Sequence, residues 1–371
     1  MSTELDPREF HALYLAVLPF YREECVRALI ADPSLEVRLL AGYGHVDPTI
    51  RSGIDSSLYR RVHNVVVARK ILLQFGGWRS VFSARGAVVD LNPRSLTAWG
   101  LLLVRRAVGR RTLVWGHLHP RAGASSKTAF LRRAMRMLAN GTILYGYDSV
   151  PIARTELPGG AIWVAPNSLY RAVDMRTPVS DRPYSSVLYV GRLVQEKKVD
   201  LLIRGFLASR MRESGVKLVV VGEGSERSAL EELASDLGAG SDVRFLGHIS
   251  GVDDLKALYA DAVCSVSPGY VGLSVTQSLG FGVPMVVSRD EPHAPEVELS
   301  RLGGVEFFET DSPSALAAAL DSMPVSGAGC SRNALAAAVR KSYSAEAMAA
   351  GIVSALLNSP QNLGDDGWPT N

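Results

Sequence analysis

Cations, glycines and histidines crowd into a few short loops of this chain. Gly191-Arg192-Leu193-Val194-Gln195-Glu196-Lys197 follows directly on the apolar run 187–190. Glycine lets a chain turn sharply and approach a ligand closely. Arg192 offers a planar fork and Lys197 a mobile point charge, a pairing suited to a diphosphate. Two solvated surface cations beside Glu196 would look the same. A second loop, Pro268-Gly269-Tyr270-Val271-Gly272, follows the run 262–266 and opens a helix expected over 273–281, closed by Gly282. Free amides at Leu273, Ser274 and Val275 would make an anion site at that helix start. A ligand-free turn would read alike. Gly222 and Gly224 follow the run 217–221, but this pair lacks the third glycine of a dinucleotide fingerprint. His117 and His119 share the loop after the run 112–115. Loop histidines are more often hydrogen-bonded bystanders than catalysts. Arg22, after Pro19-Phe20-Tyr21, is a further candidate for a phosphate contact, while Tyr14, Tyr43, Tyr145 and Tyr147 read as packing.

The elements that must position these loops alternate along nearly the whole chain. Strand-length runs at 13–18, 65–73, 86–91, 112–115, 143–145 and 162–165 are interleaved with helical patterns at 23–30, 95–108 and 125–140. The second half repeats the scheme, with Val-rich runs at 187–189, 217–221, 243–246, 262–266, 285–288 and 304–308. Continuous β-branched runs bounded by Gly or Pro suit buried parallel strands. The expectation is therefore α/β, with two doubly wound Rossmann-like domains facing a cleft. Their expected limits are 1–170 and 183–342, joined by a segment rich in Pro, Ser, Asp and Arg. Residues 343–371 then form a helix packing back toward the first domain and a loose polar tail. Ligands of such sheets bind beyond the carboxyl ends of the strands, where all these loops lie.

Composition narrows the function classes. A chain of 371 residues, 47% apolar and 21% charged, is too long for one core and too apolar for disorder. Its net charge of +3 is too small for a nucleic-acid binder working by phosphate neutralisation. That small sum hides +11 over residues 1–180 (24 basic against 13 acidic) and −8 over the rest (16 against 24). Between Asp90 and Asp148 stand ten basic residues and no acid. Arg105, Arg106, Arg110 and Arg111, with Arg132, Arg133 and Arg136 on one helix face, read as a platform for an anionic membrane. A solvated arginine-rich face is the alternative. Cys25, Cys264 and Cys330 share no close spacing, which excludes a disulfide framework or thiolate metal site. With no basic leader and no run of 18 apolar residues, the expected setting is the cytoplasm or the inner face of the cell membrane.

Taken in order, GRLVQEKKVDLLIRGF, LVVVGEGSERSALEELA, VRFLGHIS, LKALYADA and the glycine-rich turn before GVPMVV carry a resemblance. Residues 185–300 resemble the donor half of glycosyltransferase family 4, retaining nucleotide-sugar-dependent enzymes of the GT-B fold. WGHLHP and WVAPNSLY extend the likeness weakly into the first half. The resemblance implies that Gly191, Arg192 and Lys197 hold the donor diphosphate, together with the helix start from Gly272 through Leu273 and Ser274 to Val275. It places the nucleoside near Gly222, Gly224 and the loop of Phe245, Leu246, Gly247 and His248. It puts His117 near the transferred sugar, with Arg22 and His119 on the acceptor side. No cofactor and no metal are implied.

Departures accompany the likeness. The family's two glutamates, eight positions apart, correspond here to Gly269 and Gln277. Gln277 keeps a neutral amide for ribose hydroxyls; Gly269 offers no carboxylate. Lys198 stands where Lys-Gly is usual, and Pro292-His293-Ala294-Pro295-Glu296 replaces a Gly-Gly before Pro-Glu, so that His293 or Glu296 could take a sugar contact. The implied function is transfer of a hexose-type sugar from a nucleoside-diphosphate sugar to a glycan or lipid-linked acceptor, in cell-surface polysaccharide or glycolipid synthesis. A catalytically silent sugar-nucleotide binder is the alternative. A two-domain solute receptor fits less well, because the chain starts without a leader pattern.

Overall fold

Short β-branched runs and amphipathic segments settle into two α/β units in the computed structural model. It describes residues 10–46, 51–120, 123, 126–179, 183–324 and 331–370. Ser125 and Cys330 lie outside them. One unit comprises Met1–Arg171 and Tyr343–Asn371, the other Ala172–Ser342.

The first unit runs β1 (Phe10–Leu15), α1 (Glu23–Ile30), β2 (Glu36–Ala41), β3 (Arg60–Arg61), β4 (His63–Val67) and β5 (Ile71–Phe75). It continues α2 (Trp78–Ser83), β6 (Gly86–Asp90), α3 (Leu96–Ala107), β7 (Arg111–Gly116), α4 (Lys127–Leu138), β8 (Gly141–Leu144), α5 (Ser149–Glu156) and β9 (Ile162–Val164). Seven parallel strands form one sheet in the order β3-β2-β1-β6-β7-β8-β9. The central strands are fully buried, because helices cover both faces. Ser95 caps α3 by accepting from the Ala98 amide at 3.1 Å, and Ser126 caps α4.

The second unit runs β10 (Ser186–Val190), α6 (Val199–Ala208), β11 (Lys217–Val221), α7 (Arg227–Asp236), β12 (Val243–Gly247) and α8 (Val252–Ala260). Then follow β13 (Ala262–Ser267), α9 (Leu273–Gly280), β14 (Met285–Ser288), β15 (Val305–Phe308), α10 (Pro313–Asp321) and α11 (Arg332–Tyr343). Its sheet is β12-β11-β10-β13-β14-β15, all parallel. Both sheets reverse their winding beside their first strand, between β1 and β6 and between β10 and β13. Such reversals open crevices at the carboxyl ends of strands. Each unit is a Rossmann-like domain.

The closing helix α12 (Ala345–Leu357) is apolar on nearly every face and joins the core of the first unit through Met348, Ile352 and Leu356. A fully buried side chain of this kind contributes roughly 2 kcal/mol. Gly351 is required there, since a Cβ would lie 2.1 Å from the Val164 carbonyl oxygen.

Several expectations are corrected. The run 65–73 is a β-hairpin rather than one strand, turning through Ala68 and Arg69 in left-handed conformation (φ 49° and 55°). Neither is a usual left-handed residue, so the turn left no mark in the sequence. Residues 358–370 are not a loose tail. Gln361 bonds both polar groups of Val164, Trp368 stacks on Tyr147 and donates to Asp148 at 2.7 Å, and Arg154 holds the Gly364 carbonyl. The basic platform loses two members: Arg105 is 0% and Arg136 2% exposed. Arg105 donates to the carbonyls of Val81, Phe82, Ala84 and Arg111 and to the Thr112 hydroxyl. Arg136 pairs with Glu156 and the Ala153 carbonyl. On α3, Leu103 and Val104 face solvent, as do Val108 just past its end and Phe130 and Met137 on α4.

Candidate functional site

In the second unit the loops after β10, β11, β12 and β13 share one edge of the sheet. The β10 loop is laid directly along the β11 loop. Gly191 donates to the Val221 carbonyl at 3.0 Å and Leu193 to that of Glu223 at 2.9 Å. A Cβ on Gly222 would lie 1.8 Å from the Gly191 oxygen, and one on Gly224 2.0 Å from the Leu193 oxygen. Chain-on-chain contact therefore dictates both glycines before any ligand is considered. Gly222 in turn donates to the Gly247 carbonyl at 2.8 Å, linking the half-buried Phe245 and Leu246 and the exposed His248 to the same edge.

Arg192 is 57% exposed and reaches Glu196 at 3.3 Å. So exposed a pair is worth little, and the guanidinium remains free to turn toward an anion. Its backbone is fixed, because the Tyr189 hydroxyl donates to the Arg192 carbonyl at 2.8 Å. Lys197 donates to the Tyr270 carbonyl at 2.5 Å and lies 4.9 Å from the centre of that ring. Lys198 takes the left-handed conformation that glycine would adopt freely (φ 50°) and is held by Glu291 at 2.6 Å and Asp311 at 2.5 Å.

The turn 268–272 sits on this loop. A Cβ at Gly269 would lie 2.3 Å from the Glu196 carbonyl oxygen, so no side chain, carboxylate or other, fits there. The change Gly269→Glu is accordingly expected to unseat the turn and lower the melting temperature. A melting temperature at or above that of the parent would show that the two loops part readily. Within α9 the expected trio of free amides is a pair: Val275 already donates to the Gly272 carbonyl at 3.1 Å. Leu273 and Ser274 have no backbone acceptor among the described residues. Gln277 is 6% exposed, and its Nε2 has no partner among the described residues. Glu296 is buried in the 3-10 turn Pro295–Leu302, which packs on α9. His293 is not available for a sugar contact. Its Nδ1 accepts from the Val271 amide at 3.1 Å and its Nε2 donates to the Ser288 carbonyl at 2.7 Å.

The first unit has its own cavity of about 340 Å³ at the winding reversal, over the ends of β1, β6 and β7. Arg22, Asp90, Trp115, His117, Arg132 and Tyr145 are among its walls. Arg22 is 7% exposed; its Nη2 donates to the Tyr145 hydroxyl. The guanidinium carbon lies 4.5 Å from the Trp115 ring centre and 5.1 Å from that of Tyr145. Asp90 accepts from the Ala16 amide at 2.5 Å; burial pushes its carboxyl up to about 6, against the pull of that bond and of Arg22. Tyr145 thus belongs to the site rather than to packing alone. Asp90 and Tyr145 carried a legible signal, since each stands at or just past the end of a strand.

His117 is open to solvent on one side, yet dense protein around its ring and the cations Arg132 and Arg22 push its pKa down to about 4. It acts as a neutral imidazole at physiological pH. Since this lies below the ordinary value of about 6.5, the stability linked to it is present above pH 6.5 and is lost as pH falls toward 4. An NMR titration should show its midpoint near 4; one at 6 or above would contradict the reading. His119 does not line the cavity. It reaches Glu156 at 2.5 Å, beside Arg136.

Among the described residues no group of three or more His, Cys, Asp or Glu gathers as a metal site, and no helix is long and apolar enough to cross a membrane. Two Rossmann-like domains with polar sites at their winding reversals make a doubly wound α/β architecture. Residues 174–325 match the family model "Glycosyl transferases group 1". Within the second unit this match marks a likeness to glycosyl transferases group 1, and the two Rossmann-like domains have the fold of GT-B proteins. An uncharacterized glycosyltransferase of Methanocaldococcus jannaschii is 37% identical over 105 residues, 28% of this chain and 26% of that protein. The GDP-mannose-dependent alpha-(1-6)-phosphatidylinositol monomannoside mannosyltransferase of Mycolicibacterium smegmatis is 29% identical over 234 residues, 56% of this chain and 60% of that one. The matches thus span from about a quarter to three fifths of these relatives. Among solved structures, Anabaena HepE in complex with UDP superposes with a TM-score of 0.67 at 14% identity, covering 94% of this chain and 100% of that one.

Proposed function

We propose that the protein is a retaining, metal-independent glycosyltransferase. It moves a hexose-type sugar from a nucleoside-diphosphate sugar to a glycan or lipid-linked acceptor, in the synthesis of cell-surface polysaccharide or glycolipid. One observation carries the reading: the Arg192–Lys197 loop and the start of α9 are locked together at the winding reversal of a group 1 domain. The UDP bound in Anabaena HepE and the GDP-mannose and lipid acceptor in the mycobacterial relative's name support the same classes of donor and acceptor.

The chemistry asks for little acid–base machinery. As the bond from sugar to phosphate breaks, negative charge develops on the departing diphosphate. Arg192, Lys197 and the Leu273 and Ser274 amides stabilise it, one such donor being worth about 3 kcal/mol. The acceptor hydroxyl attacks the face that the phosphate leaves, and its proton passes to the departing phosphate oxygen. Gln277 bonds the ribose, Gly222, Gly224 and residues 245–248 seat the nucleoside, and Glu296 contacts the donor sugar. In the first unit Arg22 and neutral His117 serve the acceptor and the transferred sugar.

The same unit offers a surface for the inner face of a membrane: Leu103 and Val104 on α3, Val108 just past it, and Phe130 and Met137 on α4, with exposed Arg106, Arg110 and Arg133. Apolar side chains beside cations suit an anionic bilayer. Incubation with a panel of nucleotide sugars and a lipid extract tests the enzyme reading. Acceptor-dependent release of a nucleoside diphosphate, unaffected by EDTA and yielding a product of retained anomeric configuration, is expected. Binding of the nucleotide without any release would leave a silent binder instead.

A further inference from the structure

We infer that the cavity of the first unit takes a phosphate-bearing acceptor, with the phosphate seated among Arg22, Arg94 and Arg132. This deepens the acceptor reading above and rests on it for the word acceptor; the anion site stands on the unit's own geometry.

Three arginines line the cavity against a single carboxylate, Asp90, whose Oδ2 is engaged by the Ala16 amide. Withdrawing a guanidinium from water is costly unless carboxylates or carbonyls replace the lost hydration. Elsewhere in the same unit that replacement is made: Arg105 has four carbonyls and a hydroxyl, and Arg136 has Glu156. Arg22 is almost as buried and hydrogen-bonds to neither, Asp90 acting on it only through space. Its direct contacts are a tyrosine hydroxyl and two aromatic faces, all neutral.

The missing acceptor is visible atom by atom. Arg22 Nε, Arg132 Nε and Trp115 Nε1 are buried donors with no partner among the described residues, and all three residues line the cavity. Arg132 gives its Nη1 to the Leu91 and His117 carbonyls at 2.7 and 2.8 Å, which fixes the guanidinium in place. Arg94 stands exposed at the rim. A phosphate has several oxygens that can satisfy such donors together, and arginine's fork matches it. About 340 Å³ is more than a bare phosphate needs and leaves room for an attached sugar or inositol ring.

The test is calorimetric titration of the full chain with inorganic phosphate, a hexose 6-phosphate and a short-chain soluble phosphatidylinositol. The parent is compared with Arg22→Met, Arg94→Ala and the double variant Arg192→Ala/Lys197→Ala. Both organic phosphates should bind the double variant as they bind the parent. Affinity should drop about tenfold in Arg22→Met and severalfold in Arg94→Ala, as expected for losing a charge-assisted contact. Arg94→Ala, at the exposed rim, keeps the test valid if Arg22→Met folds poorly by circular dichroism. Tighter binding of the monoester or of the diester, each sensitive to Arg94, identifies which acceptor class the site takes. Phosphate binding that vanishes in the double variant but ignores Arg22 and Arg94 would overturn the inference, as would no binding to the parent. A nucleoside diphosphate titrated into the same proteins separates the two readings. If it binds the parent but not the double variant while the organic phosphates ignore Arg22 and Arg94, the transferase reading stands and the anion site falls.

Discussion

Replacing Arg192 or Lys197 by alanine will lower turnover roughly a hundred- to a thousandfold, the usual loss when one pre-placed donor to a developing anion is removed. The two losses differ in kind. Arg192 makes only an exposed pair with Glu196, so its removal should leave thermal stability unchanged and fall mainly on kcat. Lys197 also ties the loop to the turn through the Tyr270 carbonyl, so its removal should raise KM as well. Steady-state kinetics with thermal unfolding of each variant checks both. Parent-like turnover in either would take the phosphate role away from that side chain.

Arg105→Met should destabilise the first unit by about 3–5 kcal/mol, the range for breaking a buried charged network from one side. The side chain is wholly enclosed, and burial draws its pKa down to about 10, which leaves it charged at neutral pH. Its guanidinium joins carbonyls near the end of α2 to the first residues of β7. Methionine matches the length but supplies no donor; the carbonyls of Val81 and Arg111 lose the guanidinium, and that of Ala84 keeps only Arg110 at 3.3 Å. Total stabilities of about 5–15 kcal/mol make such a loss visible as a much lower urea midpoint. An unchanged midpoint would mean that water replaces the guanidinium without cost.

Much of the architecture is readable from the chain. The Val-rich runs of the second half need nothing but burial on both faces to become strands, and β11 and β14 fall on the residues their pattern predicts. The loops after β10 and β13 announce themselves by glycine and charge. What the sequence conceals is pairing across distance. Gly222, Gly224 and Gly269 are dictated by another stretch of backbone, which no local pattern records. Arg105 and Arg136 look like surface charge because their carbonyl and carboxylate partners come from other elements. The β4–β5 turn uses Ala68 and Arg69, and residues 358–370 are pinned by Trp368 and Gln361 rather than by an apolar run. In the first unit, the cavity depends on side chains from the ends of β6, β7 and β8, which only the sheet order brings together.

Hydrogen–deuterium exchange with and without a nucleoside diphosphate, run over UDP, GDP, ADP and TDP, asks most directly where the diphosphate sits. At least one of the four should slow exchange in peptides covering residues 191–197 and 270–276, and substitution of Arg192 and Lys197 should remove that protection. If none protects those segments, or if protection survives in the double variant, the diphosphate is held elsewhere and the account fails.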